Sequence, residues 1–314
     1  MTLTQLSAFV LVARLGSVKA AAAALDVSEP AVSGALAALR THFGDPLLAR
    51  ERGRMELTTG GQRLLAVASQ MVALSAEAEV VVRSAQGASD RLRVVSTSTV
   101  AEFVTGPVTA AFDRRAGGAV ETTAGVAAGA EMAVMLAQRL ADVGLGPKLD
   151  GDPTLGLVSE AVLRAQMVVV ASPDLHPRGA PRSWTWLLGP RGAEPDSDTA
   201  ILLRHLGVPE SRIEVFDTQT RAWEAAAAGT GVAPAVHHLV GPALRRGDLV
   251  VVSTPSTPAP TYWYTTTLRD EHRVAASSFR RFLQSPEALA LLRSPTNGVP
   301  PSRFRPPVHV TIWS

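Results

Sequence analysis

The stretch from Ser28 to Gly44 constrains the fold more than any other part of the chain. Val32, Leu36, Leu39 and Phe43 recur there at i, i+4, i+7 and i+11, which gives a helix one apolar face. Ser28 is an N-cap residue, and Pro30 is tolerated in the first turn because its missing N–H would be unpaired there. Gly44 stops the helix. Upstream, Leu6, Phe9, Val10 and Ala13 form an apolar stripe on a first helix, Gly16 punctuates it, and Ser17 caps a second helix from Val18 to Leu25. Asp26 and Val27 leave only a tight connection to the third. Three short helices with such a turn before the last form a helix-turn-helix.

The following stretch, Pro46 to Leu57, predicts two short strands around a turn at Gly53, with Arg50, Arg52 and Arg54 clustered on it. A basic hairpin beside the third helix has the form of a wing lying on phosphates or in the minor groove. Thr58 or Thr59 then caps a long helix reaching about Ala85. Val67, Met71, Leu74, Ala78 and Val81 keep a four-three-four-three spacing along it, the seam of a coiled coil. A short N-terminal domain cannot bury so narrow a seam, and a second copy of the same helix is the simplest partner. The expected boundaries are 1–58 for the winged domain, 59–89 for the linker and dimerisation helix, 90–294 for a second domain, and 295–314 for a Pro-rich tail.

Beyond Arg91 short apolar strand candidates alternate with Ala/Leu-rich helical stretches. The strands begin at Leu92, Val168, Ile213 and Leu249, and a later one runs from Thr261 to Leu268. That alternation argues for α/β structure with a mostly parallel sheet. Two helices follow, near Val274–Leu283 and Glu287–Arg293.

Composition removes several function classes. The 314 residues suit two or three folding units, and with 46% hydrophobic and 18% charged residues the chain can bury a core. A formal net charge of +2 gives bulk charge no say about nucleic acid, so local arrangement carries that case. With no cysteine, disulfides, thiolate metal sites and thiol redox sensing are excluded. The first twenty residues lack a basic region before their apolar stretch, so no signal peptide is expected. No run of eighteen apolar residues suggests a membrane span, and the expected location is cytoplasmic. The sequence holds no G-x-S-x-G elbow, no H-E-x-x-H and no P-loop, so an enzyme is not expected, nor a cofactor. His237 and His238 lack further ligands at suitable spacing, so no metal site is expected.

These residues resemble the LysR-type transcriptional regulator family over nearly the whole chain. The ordered string is Leu6-x-x-Phe9, Ala20-Ala21-x-x-Leu25, Val27-Ser28-x-Pro30-Ala31-Val32-Ser33, Leu39, Phe43-Gly44, Pro46-Leu47-Leu48-x-Arg50 and Leu57-Thr58-x-x-Gly61. More loosely, the stretches 96–103, 140–145, 171–177 and 226–234 resemble landmarks of the family's effector domain. The resemblance implies a multidomain α/β protein: a winged helix-turn-helix, a linker helix, and a periplasmic-binding-protein-like effector domain of two subdomains with a ligand cleft. Subdomain I is expected at about 90–162 and 262–294, and subdomain II at about 163–261. It further implies assembly as a homodimer or homotetramer on a promoter dyad of double-stranded DNA, control by a small-molecule effector, and RNA polymerase as a further candidate partner.

The residues expected to meet DNA are Ser28, Glu29, Pro30, Ser33, Gly34 and Ala37 on the third helix, with Arg50, Arg52 and Arg54 on the wing. The sequence departs from the family where Glu29 replaces a frequent Gln, Gly34 a frequent Arg, and Arg40 a usual Glu. For the effector, Ser96, Thr97, Ser98 and Thr99 lie between a strand and a helix, where hydroxyls and free N–H groups suit a carboxylate, sulfate or phosphate. Gly125, Val126, Asp198, Thr199, Thr218 and Pro234 are weaker candidates. The other reading is a solute-binding or enzymatic α/β protein whose helical N-terminus mediates protein association.

Overall fold

The computed structural model describes residues 1–51, 54–85, 89–149, 155–195 and 197–294. Helix α1 (Leu3–Leu15) opens with a reciprocal capping box between Thr2 and Gln5, and Gly16 closes it at φ 66°. Ser17 caps α2 (Val18–Leu25), and Asp26 turns the chain in the left-handed region. Helix α3 (Glu29–Phe43) follows at 107° to α2, the angle of a helix-turn-helix. Leu6, Phe9, Val10, Leu11, Ala21, Val32, Leu36 and Leu39 close one core beneath these helices.

Strands β1 (Leu48–Glu51) and β2 (Arg54–Leu57) pair antiparallel as the wing. The long helix α4 (Thr59–Ala85) is capped by Thr58, whose Oγ1 accepts from Gly61 N–H at 2.9 Å while donating to Asp45 at 2.8 Å. Gly61 is obligatory here, because a Cβ would collide with the Leu47 carbonyl. Ala68 and Val72 of α4 are buried in the same core as α1.

The chain divides into two compact units, one of Met1–Leu163 with Tyr262–Leu292, which includes the elements above, and one built on Arg164–Thr261. In the first, β3 (Asp90–Ser96) leads into α5 (Ser98–Val100), a π turn (Ala101–Thr105) and α6 (Gly106–Ala116). Then come β4 (Val120–Val126), α7 (Gly129–Ala137) and β5 (Val143–Gly146). Strand β3 pairs parallel with β4 and with β5. From α7, Val134 is buried in the core of the helix-turn-helix, with Leu140 packed against it.

Strand β6 (Leu157–Ala171) carries the chain into the second unit. There follow β7 (Trp186–Leu188), α8 (Asp198–His205), β8 (Ile213–Val215), α9 (Gln219–Ala227), β9 (Ala233–Val236), α10 (His237–Arg246) and β10 (Val250–Val252). Trp186, Leu188, Leu202, Leu203 and Val232 pack around Met167, Val169 and Ala171 of β6. Strand β11 (Ala259–Leu268) returns to the first unit, followed by α11 (Val274–Leu283) and α12 (Pro286–Arg293). Phe279 and Phe282 of α11 pack against Phe112 of α6, with ring centroids 5.1 and 5.6 Å apart.

The expectation of a mostly parallel sheet needs correction. Strand β11 runs antiparallel to β5, and β6 runs antiparallel to both β9 and β10. Strands joined by local helical crossovers are parallel, as at β3, β4 and β5. Strands β6 and β11 instead carry the chain from one unit to the other and pair antiparallel with β9, β10 and β5. Strand β6 is also far longer than the run beginning at Val168: its first half, which Ser159 and Glu160 interrupt, is only partly buried, and continuous burial begins at Met167.

An ion cluster ties the first unit together. Asp142 is 2% exposed and accepts from Arg93 N–H at 2.7 Å, Arg93 Nη2 at 2.8 Å and Arg273 Nη1 at 2.5 Å. Arg273 also donates to Asp90 at 3.0 Å and to the Arg91 carbonyl. Burial opposes its charge, but Asp142 and Asp90 outweigh that and hold its pKa above the ordinary arginine value. Asp90 is therefore an anchored first residue of β3.

Candidate nucleic-acid interface and effector site

The apolar period of α3 turns Val32, Leu36 and Leu39 inward and leaves Glu29, Pro30, Ala31, Ser33, Gly34, Ala37 and Ala38 exposed. Ser28 Oγ accepts from Ala31 N–H at 3.4 Å, so this hydroxyl holds the helix end. Glu29 and Ser33 make no side-chain hydrogen bond or ion pair with any described residue. Around Gly34 an added Cβ would meet nothing within 4 Å. The face is thus bare, small and nearly neutral. Arg40, where the family usually has Glu, lies beyond it and donates from Nε to the Pro46 carbonyl at 3.0 Å, fixing the turn into the wing.

Of the wing arginines, Arg50 and Arg54 occupy β1 and β2. Their side chains, and Arg52 with Gly53, lie outside the described residues. Along α4, Val67 is 54% exposed, Met71 37% and Leu74 64%, Ala78 is exposed, and the Val81 side chain lies outside the described set. The helix therefore has two apolar faces, one buried against α1 and one bare.

Parallel pairing brings the carboxyl ends of β3, β4 and β5 to one sheet edge, with Ser96 opposite both Val126 and Leu145. Open α/β sheets bind ligands at such an edge. The four hydroxyls expected there separate into distinct roles. Ser96 is fully buried and lies 2.8 Å from Thr105 Oγ1. Thr105 donates its only proton to the Val100 carbonyl at 3.2 Å, so Ser96 donates to Thr105. This pair ties the end of β3 to the π turn, and Ser96 leaves the set of ligand candidates because its hydroxyl faces the core. Thr97 and Thr99 are half-buried, and their hydroxyls bond no described residue. Ser98 is half-buried and engaged. Gly125 and Val126 end the exposed strand β4.

One contributor was missed from the sequence. A Cβ on Gly146, at the end of β5, would approach Thr97 Cγ2 to 3.1 Å, so this glycine gives Thr97 its place. Pairing of β3 with β5 creates that contact, and nothing local to Gly146 signals it.

In the second unit Asp198, Thr218 and Pro234 have structural partners. Ser197 caps α8, Thr199 is half-buried in its first turn, and Asp198 accepts from Thr261. Thr218 caps α9 through Arg221 N–H at 3.1 Å. Pro234 is buried, its carbonyl taking Trp223 Nε1–H at 3.0 Å. Gly231 serves packing, since a Cβ there would lie 2.6 Å from the Thr185 carbonyl.

A winged helix-turn-helix, a long helix with a bare apolar face and two α/β units define a one-chain regulator that reads DNA and carries a sensor domain. Residues 3–62 match the bacterial regulatory helix-turn-helix protein, lysR family, and residues 85–286 match the LysR substrate binding domain. An uncharacterized HTH-type transcriptional regulator of Mycobacterium tuberculosis is 32% identical with full coverage of both chains. The HTH-type transcriptional regulator CfxR of Cupriavidus necator is 29% identical over 90% of this chain and 91% of its own. Two full-length solved structures share the fold. The Vibrio cholerae virulence activator AphB has TM-score 0.54 and 19% identity, covering 90% of this chain and 98% of that one. LysG from Corynebacterium glutamicum with bound effector Arg has TM-score 0.54 and 20% identity, covering 92% and 99%. The chain belongs to the LysR family. It is a DNA-binding transcription regulator with an effector-binding domain.

Proposed function

We propose that the chain works in the cytoplasm as a homodimer or homotetramer, without catalysis of its own. Paired α3 helices enter successive major grooves of a promoter dyad, and a small molecule alters the arrangement of the DNA-binding pairs. The observation that carries this reading is the bare face of α3 from Glu29 to Ala38, held by a capped end and backed by a closed core. Among family members such a face meets base pairs, and Pro30 and Ala37 suit thymine methyls. Ser28, Ser33, Gly34 and the wing residues Arg50, Arg52 and Arg54 complete the proposed interface.

The bare seam Val67, Met71, Leu74 and Ala78 supports self-pairing through α4, because exposed apolar residues of this spacing find full burial against a copy of themselves. Thr97 and Thr99 are the favoured effector contacts, with Gly125 and Val126 beside them, since their hydroxyls stand at the sheet edge and bond no described residue. A carboxylate, sulfate or phosphate is the favoured chemistry. RNA polymerase is the proposed downstream partner.

Anisotropy titration of a duplex from the upstream intergenic region, at several salt concentrations, tests the reading. Affinity is expected to fall steeply with salt. Arg52→Ala or Arg54→Ala should flatten the slope by up to about 0.9 per lost contact and weaken all sequences alike. Unchanged slopes in both variants would remove the wing from the interface.

A further inference from the structure

Glu29 is the only charged residue between Ser28 and Ala38, and it stands in the first turn of α3, the part of a recognition helix that meets base edges. A structural role is not needed from it, because Ser28 already caps the helix. The carboxylate is exposed and bonds no described residue. Between phosphate strands such a charge is repelled unless a hydrogen-bond donor receives it. Only two base-edge donors exist in the major groove, N4 of cytosine and N6 of adenine. Adenine N6 lies between two acceptors, its own N7 and thymine O4, which repel a second carboxylate oxygen. Cytosine N4 has an acceptor on one side only. The small residues Ser33, Gly34 and Ala37 offer no cation for guanine, so this part of the face has a single strong base preference.

Resting on the DNA-reading role above, we infer that Glu29 is a specificity-determining residue that selects a C·G pair in each operator half-site by accepting a hydrogen bond from cytosine N4. It acts in opposition to affinity, since the same charge weakens binding to every other sequence.

The test is selection from a pool of duplexes with a randomised 30-base-pair core, using the full chain as wild type, Glu29→Gln and Glu29→Ala. The enriched sequences are then remade with each of the four pairs at every position and titrated. Wild type should enrich C·G at one position per half-site, with replacement there costing roughly 5- to 150-fold. Glu29→Gln should move that position to A·T, the pair glutamine reads through N6 and N7. Glu29→Ala should lose the preference there alone and bind unrelated DNA more tightly. If all three proteins enrich the same sequence, Glu29 serves only the helix dipole and the inference is overturned. If wild type enriches nothing yet binds all duplexes alike, base reading by α3 fails and takes the inference with it. Thermal melting of each variant confirms that an exposed substitution has left the fold intact.

Discussion

Two of the helix starts in this chain that carry hydroxyl side chains use them differently. At α3, Ser28 bonds a backbone N–H three residues ahead and remains at the surface. At the end of β3, Ser96 is sealed in the core and bonds Thr105, nine residues away, while Thr97 and Thr99 keep theirs open. The contrast separates a local device from a tertiary one. A cap depends on the next three residues, but the fate of a hydroxyl at a strand end depends on what packs over it.

The largest effect that would sharpen the contrast is expected from Thr105→Val. It keeps the shape but leaves Ser96 Oγ buried without an acceptor, for a loss of about 1–3 kcal/mol in urea unfolding. A loss no greater than that of an exposed substitution would mean the pair is not sealed. Ser28→Ala should lose about 1 kcal/mol, since its N–H partner regains water when the cap goes. Weaker DNA binding should accompany this loss, because the first turn of α3 frays. Thr97→Val should change stability by less than about 0.5 kcal/mol, being isosteric and losing no internal bond. It should nevertheless shrink the thermal shift produced by any metabolite that stabilises the wild type. An undiminished shift would move the effector away from Thr97 and break the comparison.

Legibility in the sequence follows the same division. Helix α3 appears with its cap, its stop and the buried Val32, Leu36 and Leu39 of its apolar stripe, although Phe43 at the end of that stripe is exposed, and α11 spans Val274–Leu283 as read. The bare seam of α4 was equally visible in Val67, Met71 and Leu74. Hidden from the sequence were the burial of Ser96, the neighbourhood of Gly146 and Thr97, and the Thr261 hydrogen bond to Asp198. So was the cluster of Arg93, Asp142 and Arg273, whose last two members are 131 residues apart.

What the sequence determined alone was each helix with its ends and its apolar face, because these rest on interactions within three or four residues. Strand direction, the length of β6 and the choice of which hydroxyls face solvent were decided only when distant strands paired. Pairing sets burial, and burial determines whether a polar side chain must bond within the protein or stays available to a ligand.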